Sequence, residues 1–398
     1  MENRVYDLSC IMESKNNSND FEKKSWLIED STYKVYKYVK SNVNLNNIYS
    51  LGLARSLIFK NDKLICFSPP KSIDYMYFKN NFDPNFCYCE EFVEGTMINL
   101  FYDNTINNWQ ISTKSSVGAN FSYVIGKKTF SELFYECLKE SGVTLDSFNK
   151  EYCYSLVIQH PDNKFIMPVA EKKIYVISIY KIEDNKVTEI GRNNYHLVGE
   201  FLKNLYHPNQ FSFNNYETLE YHYGSNECYM FLMGVVIKSI LGVRTKIRNP
   251  NYEYLKQLKG NSSKNQFSYY SLRYNNKLRE FLNYFPEYAE EFRIYRNQVH
   301  NFTTRLHEYY ISCYIKKENP LTSYPPEYRT HMYNLHQIYL EIRVNKEVIT
   351  AKKVQEYVNK IEPPHLMYAI NYNLRKKNNS KNIESVNSEL MQSEVLVN

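Results

Sequence analysis

Apolar and polar positions alternate in short runs through the middle of the chain and switch to a helical period toward its C-terminal end. Runs at 50–59, 63–67, 97–102, 109–113, 153–159, 173–182 and 229–238 are rich in Ile, Val, Tyr and Phe and are bounded by Asn, Asp, Pro or Gly. They predict β-strands, because branched and aromatic side chains suit a pleated surface and the bounding residues suit turns. One helix is predicted among them, from Thr129 to Ser141. Thr129 and Glu132 are spaced as a capping box, Phe130, Leu133, Phe134, Cys137 and Leu138 form an apolar stripe, and Gly142 supplies the stop.

From Tyr288 the period changes. Tyr288, Phe292, Tyr295, Val299, Phe302, Leu306, Tyr309 and Cys313 step by four and three, which predicts one long amphipathic helix. Further helices are predicted over 328–344 and, behind a possible N-cap at Thr350, over 351–361. The Asn, Ser, Lys and Glu run from Lys376 onward has no period and reads as a flexible tail. Strands with interspersed helices, followed by helices alone, read as an α+β fold with a small all-helical C-terminal domain. The expected divisions are an N-terminal extension over 1–47, a main domain over 48–266, the helical domain over 267–375 and the tail over 376–398. The basic stretch from Tyr252 to Arg279 reads as an exposed connector, with an RNA-contacting patch as the sharper alternative.

Composition narrows the function classes. A chain of 398 residues with 43% hydrophobic and 23% charged residues has enough apolar material for a sizeable core and more length than one ordinary domain needs. Its net charge of +6 permits a polyanionic partner without requiring one. The 8 cysteines are scattered, and no leader-like apolar segment opens the sequence, so reduced thiols in a cytosol-like compartment are expected. Cys87 and Cys89 are the only close pair, and without a second pair at finger spacing they argue against zinc. No run of apolar residues is long enough to predict a membrane span. The composition, with 39 Tyr and only 11 Gly, fits an AT-rich coding sequence and a large DNA virus as source, hence the host cytoplasm or the virion as location. Oligomeric state is not readable from the sequence.

The candidate chemistry lies in an ordered set of segments: Leu53-Ala54-Arg55-Ser56-Leu57-Ile58-Phe59, Ser68-Pro69-Pro70-Lys71-Ser72, Phe92-Val93-Glu94-Gly95-Thr96, Ser112-Thr113-Lys114-Ser115-Ser116, His160-Pro161-Asp162-Asn163-Lys164 and Arg244-Thr245-Lys246-Ile247-Arg248. In this order and spacing the set resembles the phage-type, ATP-dependent RNA ligases of the covalent nucleotidyltransferase family. The resemblance covers roughly Leu51 to Tyr254. It implies a nucleotidyltransferase domain, ATP-grasp-like and built of antiparallel sheets with helices, over 48–266. It further implies ATP as cofactor, RNA ends as partner, and Arg55, Lys71, Glu94, Gly95, Lys114, Lys246 and Arg248 as nucleotide- or phosphate-binding residues. In the family a lysine attacks the α-phosphate of ATP and carries AMP to a 5′-phosphorylated RNA end. Lys246 and Arg248, alternate residues of one strand, would point the same way into such a site.

The sequence departs from this pattern where the family's lysine should stand, because that position is Phe92, which offers no nucleophile. The segments that carry glutamates in the family read Cys153 to Gln159 and Met233 to Val236 here, without a carboxylate. Mg²⁺ prefers carboxylate oxygens, so the sequence argues against the metal and no metal ligand is assigned. Two accounts follow. Either the chain is a pseudoenzyme that binds nucleotide or RNA, or the chemistry has moved to another lysine, for which Lys71 in its Pro-Pro-Lys-Ser turn is the candidate. A viral structural or interaction protein on the same fold is the third reading. Against these stand plainer readings: solvated charges for the Lys and Arg set, a structural loop residue for His160, a surface run for Glu90, Glu91 and Glu94, and core packing for the C-terminal aromatics.

Overall fold

The computed structural model describes residues 3–16, 19–28, 30–122, 127–262 and 264–375. Two compact units divide the chain, Met1–Lys256 and Gln257–Asn398. The chain is α+β, with antiparallel sheets and helices in the first unit and helices in the described part of the second.

The strands of the first unit are β1 (Arg4–Asp7), β2 (Phe21–Ile28), β3 (Ser31–Tyr38), β4 (Leu57–Lys60), β5 (Lys63–Phe67), β6 (Cys87–Glu91), β7 (Thr96–Asp103), β8 (Asn108–Ser112), β9 (Tyr152–Gln159), β10 (Lys173–Glu183), β11 (Lys186–Glu189), β12 (Gln210–Phe211), β13 (Gly234–Ser239) and β14 (Arg244–Arg248). They form a 6-stranded sheet in the order β1-β11-β10-β9-β7-β8 and two 4-stranded sheets, β2-β3-β4-β5 and β12-β6-β13-β14. Every strand pairing is antiparallel.

The large sheet is buried on both faces, and the pleat decides which residues go where. Ile98 and Leu100 of β7, with Tyr154, Leu156 and Ile158 of β9, pack under the helix Phe130–Glu140. Their neighbours Phe101 and Cys153 point the other way, into a core shared with Tyr33, Val35, Leu57, Phe59 and Phe67 of the β2–β5 sheet. The predicted helix is present with its capping box intact: the Thr129 side chain accepts from the Glu132 amide, and the Glu132 carboxylate accepts from the Thr129 amide. Gly142 follows at φ 69°, a left-handed conformation that suits glycine.

Two strand expectations are corrected at their N-terminal ends. Residues Leu51–Leu53 form a 3₁₀ turn, and the strand expected from Ser50 starts at Leu57. The run expected from Tyr229 starts at Gly234, because the Asn249 side-chain amide donates to the Tyr229 and Leu232 carbonyls and holds 229–232 in a turn. At 51–54 apolar residues are buried without being extended, and at 229–233 they are exposed or half-buried in a turn; periodicity alone separates neither from a strand. The sequence reading also passed over β1, β2, β3, β6, β11 and β12. Strand β2 shows why: it is an edge strand with a mostly exposed, Lys- and Glu-bearing surface, so it lacks the apolar alternation that marks a strand from sequence.

In the second unit the helices are Asn265–Tyr274, Leu278–Tyr284, Ala289–Tyr310, Pro326–Ile342, Ala351–Asn359 and Pro363–Ile370. The long helix buries Phe292, Val299, Phe302, Leu306 and Tyr310, so Tyr310 takes the buried position expected of Tyr309 in a stripe expected to run to Cys313. It continues into a π-helical turn at Ile311–Ile315. Thr350 caps the helix that starts at Ala351. The stretch expected as an exposed connector is helical instead, at Pro250–Lys259 and Asn265–Tyr274, with Tyr252, Leu255, Tyr269, Tyr270 and Leu272 buried. Its charges punctuate amphipathic helices, which is why the composition suggested a loop. No helix among the described residues is long and apolar enough to cross a membrane. The expected tail lies outside the described residues.

Candidate functional site

The β12-β6-β13-β14 sheet positions the site. One face packs Cys89, Val235, Ile237 and Ile247 against Phe78, Tyr216 and Leu219 of two short helices. Residues alternate across a strand, so the opposite face carries Tyr88, Glu90, Val236, Lys238, Arg244, Lys246 and Arg248. The register sets Glu90 beside Val236 and Val236 beside Lys246. Phe92 extends the pairing by one step, its amide donating to the Gly234 carbonyl at 3.0 Å.

The other basic segments are fastened to β14 by backbone contacts. The Ile73 amide donates to the Arg244 carbonyl at 2.9 Å, and the Thr245 hydroxyl donates to the Ile73 carbonyl at 2.9 Å. The Lys71 amide donates to the Gly52 carbonyl at 2.9 Å, which draws the turn before Arg55 to the same place. A cluster of cations results. The Lys71 and Lys114 amines each lie 5.8 Å from the centre of the Tyr38 ring. Arg55 lies close enough to Lys114 and Arg244 for repulsion to be felt: burial first, and then Arg244, pull its pKa down.

Lys246 is the most perturbed member. Burial, followed by the charges of Arg244, Arg55, Arg248 and Lys256, holds its amine down to about 6. Its Nζ rests 3.9 Å from the centre of the Phe92 ring. Arg248 and Lys256 share the Glu253 carboxylate, at 2.8 and 3.5 Å. Among the described residues, no carboxylate comes within ion-pair distance of Arg55, Arg244 or Lys246. The buried Arg244 leaves its Nε without a partner. A buried donor without an acceptor is costly, and an anion's oxygen is one group that could relieve it.

The structure thus brings Arg55, Lys71, Lys114, Lys246 and Arg248 into one neighbourhood. Glu94 and Gly95 stand apart from the cations in kind. Glu94 is buried with both oxygens engaged: Oε1 accepts from the Ile166 and Met167 amides at 3.0 Å each, and Oε2 accepts from the Tyr252 hydroxyl. The plain reading of Glu94 as part of a solvated surface run is therefore corrected. Glu90 is likewise buried, paired with Lys238 at 2.9 Å, while Glu91 holds Asn209 at the surface. Gly95 has φ 149°, and a Cβ there would fall 2.4 Å from the Ile158 carbonyl oxygen. His160 is a structural residue: Nδ1 accepts from the Asp162 amide at 3.0 Å and Nε2 meets Glu136 at 3.0 Å. Lys128 and Lys172 complete that network and hold the Glu136 carboxyl at about 2. Sequence reasoning missed Arg244 and Lys256 as members of the cation cluster. Arg244 was signalled by the same two-residue spacing that marked Lys246 and Arg248.

The RNA ligase of Rhodothermus phage RM378 is 31% identical over 105 residues, covering 24% of this chain and 23% of that protein. Over those 105 residues the chain is similar to an RNA ligase. The likeness spans about a quarter of the phage protein's length. No family model matches the chain. Among solved structures it is similar to a candidate ATP-dependent DNA ligase of Aquifex aeolicus, at 12% identity over 92% of this chain and 78% of that one, with a TM-score of 0.39. It is also similar to a Naegleria gruberi RNA ligase with ATP and Mn, at 9% identity over 65% and 85%, with a TM-score of 0.34.

No group of three or more His, Cys, Asp or Glu side chains suited to a metal ion occurs among the described residues. Around Lys246 the recorded carboxylate is Glu253, already shared by two cations. The side chains around Lys246 are donors of the kind that pair with phosphate oxygens rather than the carboxylates that ligate a divalent cation.

Proposed function

We propose that this RNA-ligase-like chain binds a nucleoside triphosphate at the cation cluster and presents it to a phosphorylated RNA end. The observation that carries the reading is the assembly of Arg55, Arg244 and Arg248 about Lys246, itself over the Phe92 ring, with the buried Arg244 Nε lacking an acceptor. Phosphate oxygens supply the missing acceptors and offset the mutual repulsion of the cations. Arg55, Lys71, Lys114, Lys246 and Arg248 contact phosphates in this reading. Glu94 and Gly95 shape the turn that carries Phe92 and do not touch the nucleotide. The nucleoside triphosphate is ATP, and the partner is RNA, by analogy with the phage ligase of which 105 residues match.

A non-catalytic binder is the second reading, and Phe92 in place of the expected lysine favours it. Both readings require ATP to bind. Isothermal titration with ATP, repeated on Arg244→Ala, tests them. Binding by the wild type, weakened roughly 10- to 100-fold in the variant for one lost charged contact of about 1.5–3 kcal/mol, is expected. Equal binding by both proteins, or none by the wild type, sinks the site. A gel shift with 5′-phosphorylated and 5′-hydroxyl RNA of one sequence then tests the RNA end, with preference for the phosphate expected.

A further inference from the structure

We propose that Lys246 is the nucleophile of this site, attacking the α-phosphorus of the nucleoside triphosphate in place of the lysine that Phe92 displaces. The inference rests on the nucleotide reading above.

Four features of the cluster single out Lys246. Nucleophilic attack on phosphorus requires a lone pair, which arginine does not offer at ordinary pH, so Arg55, Arg244 and Arg248 are confined to holding phosphates. Of the amines, Lys256 is engaged with Glu253 at 3.5 Å, and Lys71 and Lys114 stand over Tyr38 rather than Phe92. Lys246 alone of these lysines lies over the Phe92 ring, at 3.9 Å, and it has no carboxylate to hold a proton on it. Burial and its cationic neighbours hold the amine down to about 6 in the free site, which favours the unprotonated, nucleophilic form near neutral pH.

The position suits the step. The flanking Arg244 and Arg248 are two residues away on the same strand and face the same side as the amine, so phosphates held by them lie next to it. Phe92 covers one side of the amine with an apolar ring, which keeps water from solvating it and from competing in the attack. The Nζ lone pair forms the P–N bond, the bond from α-phosphorus to the bridging oxygen breaks, and pyrophosphate leaves with that electron pair. The nitrogen then loses one proton to solvent, leaving a phosphoramidate with a neutral nitrogen and one ionised phosphate oxygen that carries the nucleoside monophosphate. Arg55, Arg244 and Arg248 neutralise the charge that develops on the phosphates. Phe92 thus serves as the platform for a lysine supplied by a different strand, rather than as the mark of a dead site.

The test uses the full chain and ATP labelled at the α-phosphate, with and without a divalent cation, alongside calorimetric ATP binding. The expected result is ATP binding together with a covalent adduct of one AMP, lost in acid, that peptide mass spectrometry maps to Lys246. Lys246→Arg, which keeps the charge, is expected to bind ATP and to take no label. ATP binding without an adduct, or an adduct mapped to Lys71 or any other residue, overturns the inference and leaves the nucleotide reading in place. An adduct retained in Lys246→Arg overturns it as well. Failure of the wild type to bind ATP removes both. The mapping on the wild-type chain decides the matter even if the variant does not fold.

Discussion

The Tyr252 hydroxyl donates to Oε2 of Glu94 across 158 residues of sequence, tying the helix that follows β14 to the turn that carries Phe92. Both groups are buried, and the other Glu94 oxygen is spent on the Ile166 and Met167 amides. The bond therefore fixes two walls of the site relative to each other. Tyr252→Phe leaves a buried carboxylate oxygen without its donor, at an expected cost of about 1–3 kcal/mol. Chemical denaturation should show this as a lower midpoint with an unchanged slope. An unaltered midpoint would mean that water replaces the hydroxyl freely and that the turn is not held from this side.

Gly95 allows a second stability prediction. At φ 149° with the Ile158 carbonyl 2.4 Å from where a Cβ would be, Gly95→Ala meets backbone on one side and a disfavoured conformation on the other. The expected loss is about 1–3 kcal/mol from the backbone conformation alone, with the clash added. Thermal unfolding measures it, and a variant as stable as wild type would show that the turn relaxes without cost. Gly142→Ala serves as the control, because nothing lies within 4 Å of a Cβ there and only its φ of 69° is strained.

Much of this architecture was legible in the sequence where the signal is local. The capping box at Thr129 and Glu132, the cap at Thr350 and the two-residue spacing of Lys246 and Arg248 each depend on neighbours a few residues away, and each reads correctly. The contents of the site depend on register. Lys246 meets Phe92 because β14 pairs with β13 and β13 with β6, an arrangement that joins segments far apart, as the Glu90–Lys238 pair shows with its separation of 148 residues. No local pattern announces which lysine lands on the phenylalanine. Glu94 illustrates the same limit: in sequence it sits in an acidic run, and only the fold shows its carboxylate consumed by two amides and a hydroxyl.

The surplus of cations makes a prediction about metal dependence. Arg55, Arg244 and Lys246 have no carboxylate partner among the described residues, and no His, Cys, Asp and Glu group suited to a metal occurs there. Chelation by Mg²⁺ lowers the charge that ATP presents to such a surface. Free ATP is therefore expected to bind at least as tightly in EDTA as in excess Mg²⁺, and more weakly as salt rises. Calorimetry in both buffers at fixed ionic strength checks this. An absolute requirement for Mg²⁺ would show that a metal ligand set assembles on binding.

The last prediction concerns pH and follows from the Lys246 amine, held at about 6 against an ordinary 10.5. Between those values the unfolded chain binds a proton that the folded chain does not, so stability rises with pH through that window and is lost as pH falls toward 6. Lys246→Met should flatten this part of the stability–pH curve, since methionine fills similar space and does not titrate. The same protonation governs the proposed attack in the nucleotide complex, where bound phosphates favour the charged amine and move its titration upward from 6. The rate of adduct formation should climb about tenfold per pH unit while the amine is mostly protonated and then level off. Rapid-quench labelling from pH 5 to pH 11 measures the curve. A plateau reached only near pH 10 would assign the attack to a lysine with an ordinary proton affinity, and a stability curve unchanged by Lys246→Met would show that the amine is not desolvated in the folded chain.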